Sequence, residues 1–162
     1  MKRLTADGIP FDEAKTMVNN FLTKQEKDVN GNYANTIAVW FSLEQLNEMV
    51  IRLNEEQRTT AAISPGKETD GVRIYFANYG ENPPAEYPEY TNRNTVVFVS
   101  THKDIDIPEK HIDYFSEDKL FNNGGIIKMS PQNRGMLCPP DKGCDCDSEI
   151  YTEENKPLCP FE

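Results

Sequence analysis

No run of apolar residues in this chain of 162 approaches the ~20 needed to cross a bilayer, which excludes a membrane-spanning helix. Cations are also short: 17 Lys and Arg stand against 27 Asp and Glu, for a net charge of −10. That balance argues against any nucleic-acid role that depends on neutralising phosphates. Hydrophobic residues make up 37% of the chain and mean hydropathy is −0.69, so the expected core is small. Several familiar chemistries have no motif here. The sequence lacks a phosphate-cradling Gly-rich loop before a helix, H-E-x-x-H and G-x-S-x-G. The alternating carboxylates between Asp141 and Glu149 miss the glycine and the bidentate glutamate of a calcium loop. Lys2 and Arg3 are followed by no apolar stretch, so a cytoplasmic address is expected.

What is present is unevenly placed. Ala14, Met17, Val18, Phe21 and Leu22 recur at helical spacing, and Pro10, Asp12 and Glu13 suit a helix start. A helix over ~10–27 is predicted. In the segment NTIAVWF, Ile37, Val39 and Phe41 share one face, Ala38 and Trp40 the other. Both faces are apolar, which predicts an inner strand. Ser42 and Gln45 match a capping box at the start of a second helix over ~43–57, striped by Leu43, Leu46, Val50 and Leu53. Burial of that stripe would make Val50→Asp cost several kcal/mol. Strands are expected over ~72–79 and ~95–101, joined by a Pro- and Tyr-containing loop of ~14 residues. PEKHIDYF reads as a short helix from Pro108, SEDKLF as one turn, and IIKM as a further strand.

The predicted class is α+β: a small, mostly antiparallel sheet with two main helices packed on one face. The division expected is an α+β domain over residues 1–128 and a Cys/Pro-rich acidic tail over 129–162, docked on the domain through Leu158 and Phe161. From Cys138 onward the tail carries seven acids against Lys142 and Lys156.

All four cysteines, Cys138, Cys144, Cys146 and Cys159, lie in that tail. Four thiolates can complete a tetrahedral zinc site, although C-x5-C-x-C-x12-C is not the usual C-x2-C spacing. Free thiols are a second reading. A disulfide from Cys138 to Cys144 or Cys146 is a third, and it needs an oxidising compartment. Beyond such a zinc, no cofactor is expected.

Arg73, Tyr75 and Tyr79 form an alternating row, continued by Tyr87 and Tyr90 on the loop. Tyrosine offers large contact area at low entropy cost, so the row is a candidate partner-binding face. His102, at the end of the third strand, joins the row as a candidate binding residue; it would lie near Asp70 across a simple hairpin, and an Asp–His pair is the kernel of general base catalysis. No recognised motif sets a nucleophile beside it.

The blocks VWFSLEQL, DGVRIYFANYG, NTVVFVSTH and NRGMLCPP together resemble a group of small bacterial proteins that carry similar blocks in the same order. The resemblance covers most of residues 10–140. It implies one coherent domain and carries no activity. The function expected is a non-catalytic, cytoplasmic binding protein for a protein or small-molecule partner, with a basic protein favoured by the charge of −10. The antitoxin, immunity and regulatory types fit that description. The alternatives are a small enzyme with an Asp/His/Tyr site, or a zinc-stapled domain with a functional tail.

Overall fold

Ser42 opens the longest element. Its Oγ accepts from the Gln45 backbone N–H at 3.1 Å, and its own N–H donates to Gln45 Oε1 at 2.9 Å, closing the capping box read from the sequence. The structure is a computed structural model that describes residues 8–114, 133, 135–138 and 144–157. In chain order its elements are α1 (Phe11–Leu22), β1 (Ala38–Trp40), α2 (Leu43–Ile63), β2 (Thr69–Asn78), β3 (Asn94–Lys103), β4 (His111–Asp113) and β5 (Met136–Cys138). Among the described residues, two helices with small antiparallel sheets give an α+β fold.

The main sheet has the order β2-β3-β4 with every pair antiparallel. Cross-strand partners share a face. Arg73, Tyr75, Val97, Val99, Thr101 and Asp113 therefore line one side, and Val72, Ile74, Phe76, Val96, Phe98 and Ser100 the other. The helices lie on the second side. Buried Thr60 of α2 accepts from the Thr69 backbone N–H at 3.0 Å, and Gln57 Nε2 donates to the Thr69 carbonyl at 2.9 Å. Both backbone groups at the entry to β2 are thus clamped to α2. Phe21 of α1 and Phe41 reach the same side, with Phe41 edge-on to Phe98 at 5.1 Å.

Several expectations are corrected. β1 does not join the main sheet. It pairs with β5, Val39 opposite Leu137, and Trp40 remains 54% exposed, so it is not an inner strand of the main sheet. The helical stripes are not buried as expected: Met17, Phe21, Leu46 and Val50 are all exposed, while Asn19 and Leu22 are the buried residues of α1. α1 ends at Leu22, and α2 continues to Ile63. The predicted helix from Pro108 is instead a tight return into β4. Asp104 Oδ1 accepts from the N–H groups of Asp106 and Ile107 at 2.9 and 3.3 Å, which turns the chain and sets Lys103 opposite His111. The SEDKLF and IIKM segments lie outside the described residues, as do Leu158, Cys159 and Phe161.

Parts of the segment expected as a tail are built into the body. β5 is one half of a sheet, and Leu137 is fully buried. Further on, Asn19 Nδ2 donates to the Ile150 carbonyl at 2.8 Å. Its Oδ1 accepts from the Thr152 N–H, the Thr152 hydroxyl and Asn155 Nδ2 at 3.0–3.1 Å. The buried Tyr33 hydroxyl donates to the Asn155 carbonyl at 2.9 Å. No described helix is long and apolar enough to cross a membrane.

Candidate functional site

The residues singled out in the sequence separate into three groups. Arg73 and Tyr75 project from the same side of β2 and meet Asp113 of β4, with Arg73 Nη1 and the Tyr75 hydroxyl both donating to its carboxylate. Arg73 Nη2 also donates to the His111 carbonyl at 2.7 Å. This is a surface network that pins β4 to β2 across the central strand.

Tyr79, Tyr87 and Tyr90 gather at the hairpin end. Tyr90 is buried, with Tyr87 stacked on it at 5.2 Å and Tyr79 tilted against it at 5.3 Å. A single turn of 3-10 helix, Pro88–Tyr90, places the last of the three, and Tyr87 keeps an exposed ring. The loop is packed by its own aromatics.

His102 is the third. It is 4% exposed, its Nδ1 meets the Lys103 carbonyl at 2.8 Å, and its ring lies 4.3 Å from that of Tyr114. A carbonyl only accepts, so Nδ1 carries the proton. The expected Asp70–His102 pair does not form. The register places Thr69 opposite His102 and Gly71 opposite Thr101, leaving Asp70 in an irregularity that swings its side chain to the other face. There Asp70 accepts from the Thr101 hydroxyl at 2.8 Å and meets His111 Nδ1 at 2.6 Å. The histidine that Asp70 finds is the one at the β4 end. Sequence reading misses it because a helix from Pro108 would carry His111 away from β2.

Of the three readings of the cysteines, the structure shows the disulfide. Cys138 and Cys144 are joined in a disulfide, and Cys146 is disulfide-bonded as well. A thiol bound in a disulfide is not the thiolate that zinc takes. No group of three or more His, Cys, Asp or Glu suited to a metal occurs among the described residues.

The feature not foreseen is an open apolar groove of about 810 Å³ on the helix side of the sheet. Ile74 and Phe76 of β2 and Val96 and Phe98 of β3 form its floor. Phe21, Ile37, Val39 and Phe41 form its walls, and Gln25, Thr36, Asn78 and Asn94 give it a polar rim. Phe76 is 93% exposed. The β1 wall is set from behind by β5: buried Gly135 packs so closely that an added Cβ would stand 2.7 Å from Phe41 Cζ. The signal is present in two rows, Ile37/Val39/Phe41 and Val72/Ile74/Phe76, and each alternates as a core face does. Their joining into a surface cannot be read without the β1–β5 pairing.

Comparison with protein-family models, with curated proteins and with solved structures finds no match.

Proposed function

We propose that this is a non-catalytic binding protein whose groove takes apolar side chains from a basic segment of a partner protein. The observation that carries the reading is the open groove floored by Ile74, Phe76, Val96 and Phe98. A contiguous exposed apolar surface with a polar rim is the usual mark of an interaction site. Charge selects the partner. The chain carries −10, and exposed Asp145, Asp147, Glu149, Glu153 and Glu154 lie in the segment held on α1, the helix that lends Phe21 to the groove wall. Such a field speeds encounter with a cationic partner and repels an anionic one.

The compartment in this reading is an oxidising one rather than the cytoplasm. The support is the Cys138–Cys144 disulfide together with a bridged Cys146, because cytosolic thiols are held reduced.

Calorimetric titration tests the reading with two synthetic peptides that share Leu and Phe positions and differ in Lys against Glu. The Lys peptide binds and weakens with added salt, and the Glu peptide does not bind. Phe76, exposed on the groove floor, provides the variant: Phe76→Ala lowers affinity for the Lys peptide by about tenfold or more, equal to about 1.4 kcal/mol. Equal affinity for both peptides, or none for either, would refute the reading. A second reading, a small enzyme with His111 as general base, is favoured by the 2.6 Å contact that Asp70 makes with its Nδ1. A hydrolytic activity abolished by His111→Gln, with peptide binding intact, would establish that function instead.

A further inference from the structure

We infer that β2 is the seat of a two-fold dimer, in which the edge strands of two copies pair antiparallel about Ile74. Among the described residues β2 has β3 as its one strand neighbour, and beyond Thr69, whose backbone groups bond to α2, no described strand lies on its other edge. The hydrogen-bond pattern says which residues face that edge. The Tyr79 N–H donates to the Arg93 carbonyl at 3.0 Å, continuing the ladder beyond Asn78. In an antiparallel ladder, alternate residues turn both backbone groups toward the partner strand. Arg73, Tyr75 and Ala77 therefore face β3, and Val72, Ile74 and Phe76 present N–H and C=O groups outward.

These same three residues carry exposed apolar side chains on the groove side: Val72 at 39%, Ile74 at 52% and Phe76 at 93%. The outward positions 72, 74 and 76 carry neither the charge nor the proline that commonly blocks strand addition. A second copy of this chain satisfies the edge in a specific register. With the axis through Ile74, Val72 of each copy lies opposite Phe76 of the other, and every outward donor meets an outward acceptor. The most exposed ring of the strand then gains an apolar neighbour.

Charge agrees with the register. The charged residues of β2 are Asp70 and Arg73. About this axis Arg73 lies opposite Tyr75 and Asp70 opposite Asn78, so no like charges meet. The two apolar faces become continuous, and the two grooves adjoin across the axis. This goes beyond binding of a basic partner, and it responds to salt in the opposite sense. Each copy carries −10, so screening their repulsion strengthens the dimer, whereas it weakens a cationic partner.

Sedimentation of the full chain, with disulfides intact, is the test. Between about 5 and 500 µM the mass should rise from 18.5 kDa toward twice that value, more steeply at high salt. Amide hydrogen exchange should show Val72, Ile74 and Phe76 gaining protection with concentration, while Arg73, Tyr75 and Ala77 are protected throughout. Phe76→Lys, at a side chain that supports little of the fold, should abolish the mass increase. Ile74→Pro should do the same by deleting an outward N–H. Val29→Lys, at a residue fully exposed in a distant turn, should leave it unchanged. A chain monomeric over the whole range would overturn the inference. So would a dimer that survives Phe76→Lys, which would have formed on another surface. Protection of the three outward amides only when an extended peptide is added would assign the edge to a foreign strand instead.

Discussion

Glu56 sits on α2 where the helix faces the sheet, and its carboxyl is caught between two environments. One oxygen, Oε2, is buried with no hydrogen-bond partner. Loss of hydration pushes its pKa above the ordinary 4.5, and a hydrogen bond with Ser100 pulls it part of the way back. Protonation therefore favours the folded state. The contribution of the neutral acid is fully present below pH 4.5 and is lost as pH rises through the folded value. Above that value the chain carries a half-buried charge with one oxygen unanswered. Burial of the charge is what the substitution removes, and partial solvent contact holds that penalty to about 1 kcal/mol. Glu56→Gln keeps the shape and removes the charge. It should stabilise the protein by about 1 kcal/mol at pH 7 and by nothing measurable at pH 3.5, where the parent is already neutral. Urea unfolding of both proteins at the two pH values reads this directly, since the difference between them isolates one side chain from all other titrations. A gain that is the same at both pH values, or larger in acid, would refute the reasoning.

Other outcomes follow from burial. Leu22→Ala, at a side chain 1% exposed, should cost about 2–5 kcal/mol in urea unfolding, while Met17→Ala, five positions earlier and 57% exposed, should cost much less. Val50→Asp should shift stability by only about 0.5 kcal/mol, because Val50 is 56% exposed; a loss of several kcal/mol would restore the buried stripe. Gly135→Ala should cost about 1–3 kcal/mol by thermal melting, since the new methyl falls against Val39 and Phe41. Asn19→Ala strands the Ile150 carbonyl and the Thr152 N–H, and should speed proteolysis within residues 144–157 while the rest of the chain stays resistant.

Legibility in the sequence followed the range of each interaction. The capping box at Ser42 and Gln45 joins residues three apart, and it was readable because the pattern contains both partners. The β2–β3 hairpin was readable from two alternating segments joined by one loop. The alternation also assigned Val72, Ile74 and Phe76 to one side and Arg73 and Tyr75 to the other. What failed depended on distant partners. The α1 stripe pointed to Met17 and Phe21, but the burying contact is a polar one, at Asn19, with a segment 131 residues away. A regular hairpin pairs Asp70 with the wrong histidine, because one irregularity at Thr69–Gly71 changes the face of every group before it. The groove was hidden for the same reason: its walls come from a strand whose partner, β5, was expected in a tail.

More large apolar side chains are exposed than buried among the described residues, and that imbalance has a physical consequence. The most deeply buried side chains are Tyr114, Leu22, Leu137 and Thr60, and one of these is a threonine. The body is held instead by polar clamps: Thr60 on the Thr69 backbone, Asn19 on the Ile150–Asn155 segment, and Asp70 and Asp113 across the strand ends. Net hydrogen bonds stabilise by only about 0.5–1.5 kcal/mol each, so a fold built this way is marginal alone. The disulfide at Cys138 and Cys144 ties the end of β5, and hence the pairing that sets the β1 wall. The residues that could have closed a larger core, Ile74, Phe76, Phe98 and Phe41, stand around an open groove. Covering that groove with a basic partner, or joining two of them across β2, removes from water the apolar surface that folding leaves exposed. By linkage, whichever event occurs must also stabilise the fold, because it acts on the folded chain and not on the unfolded one.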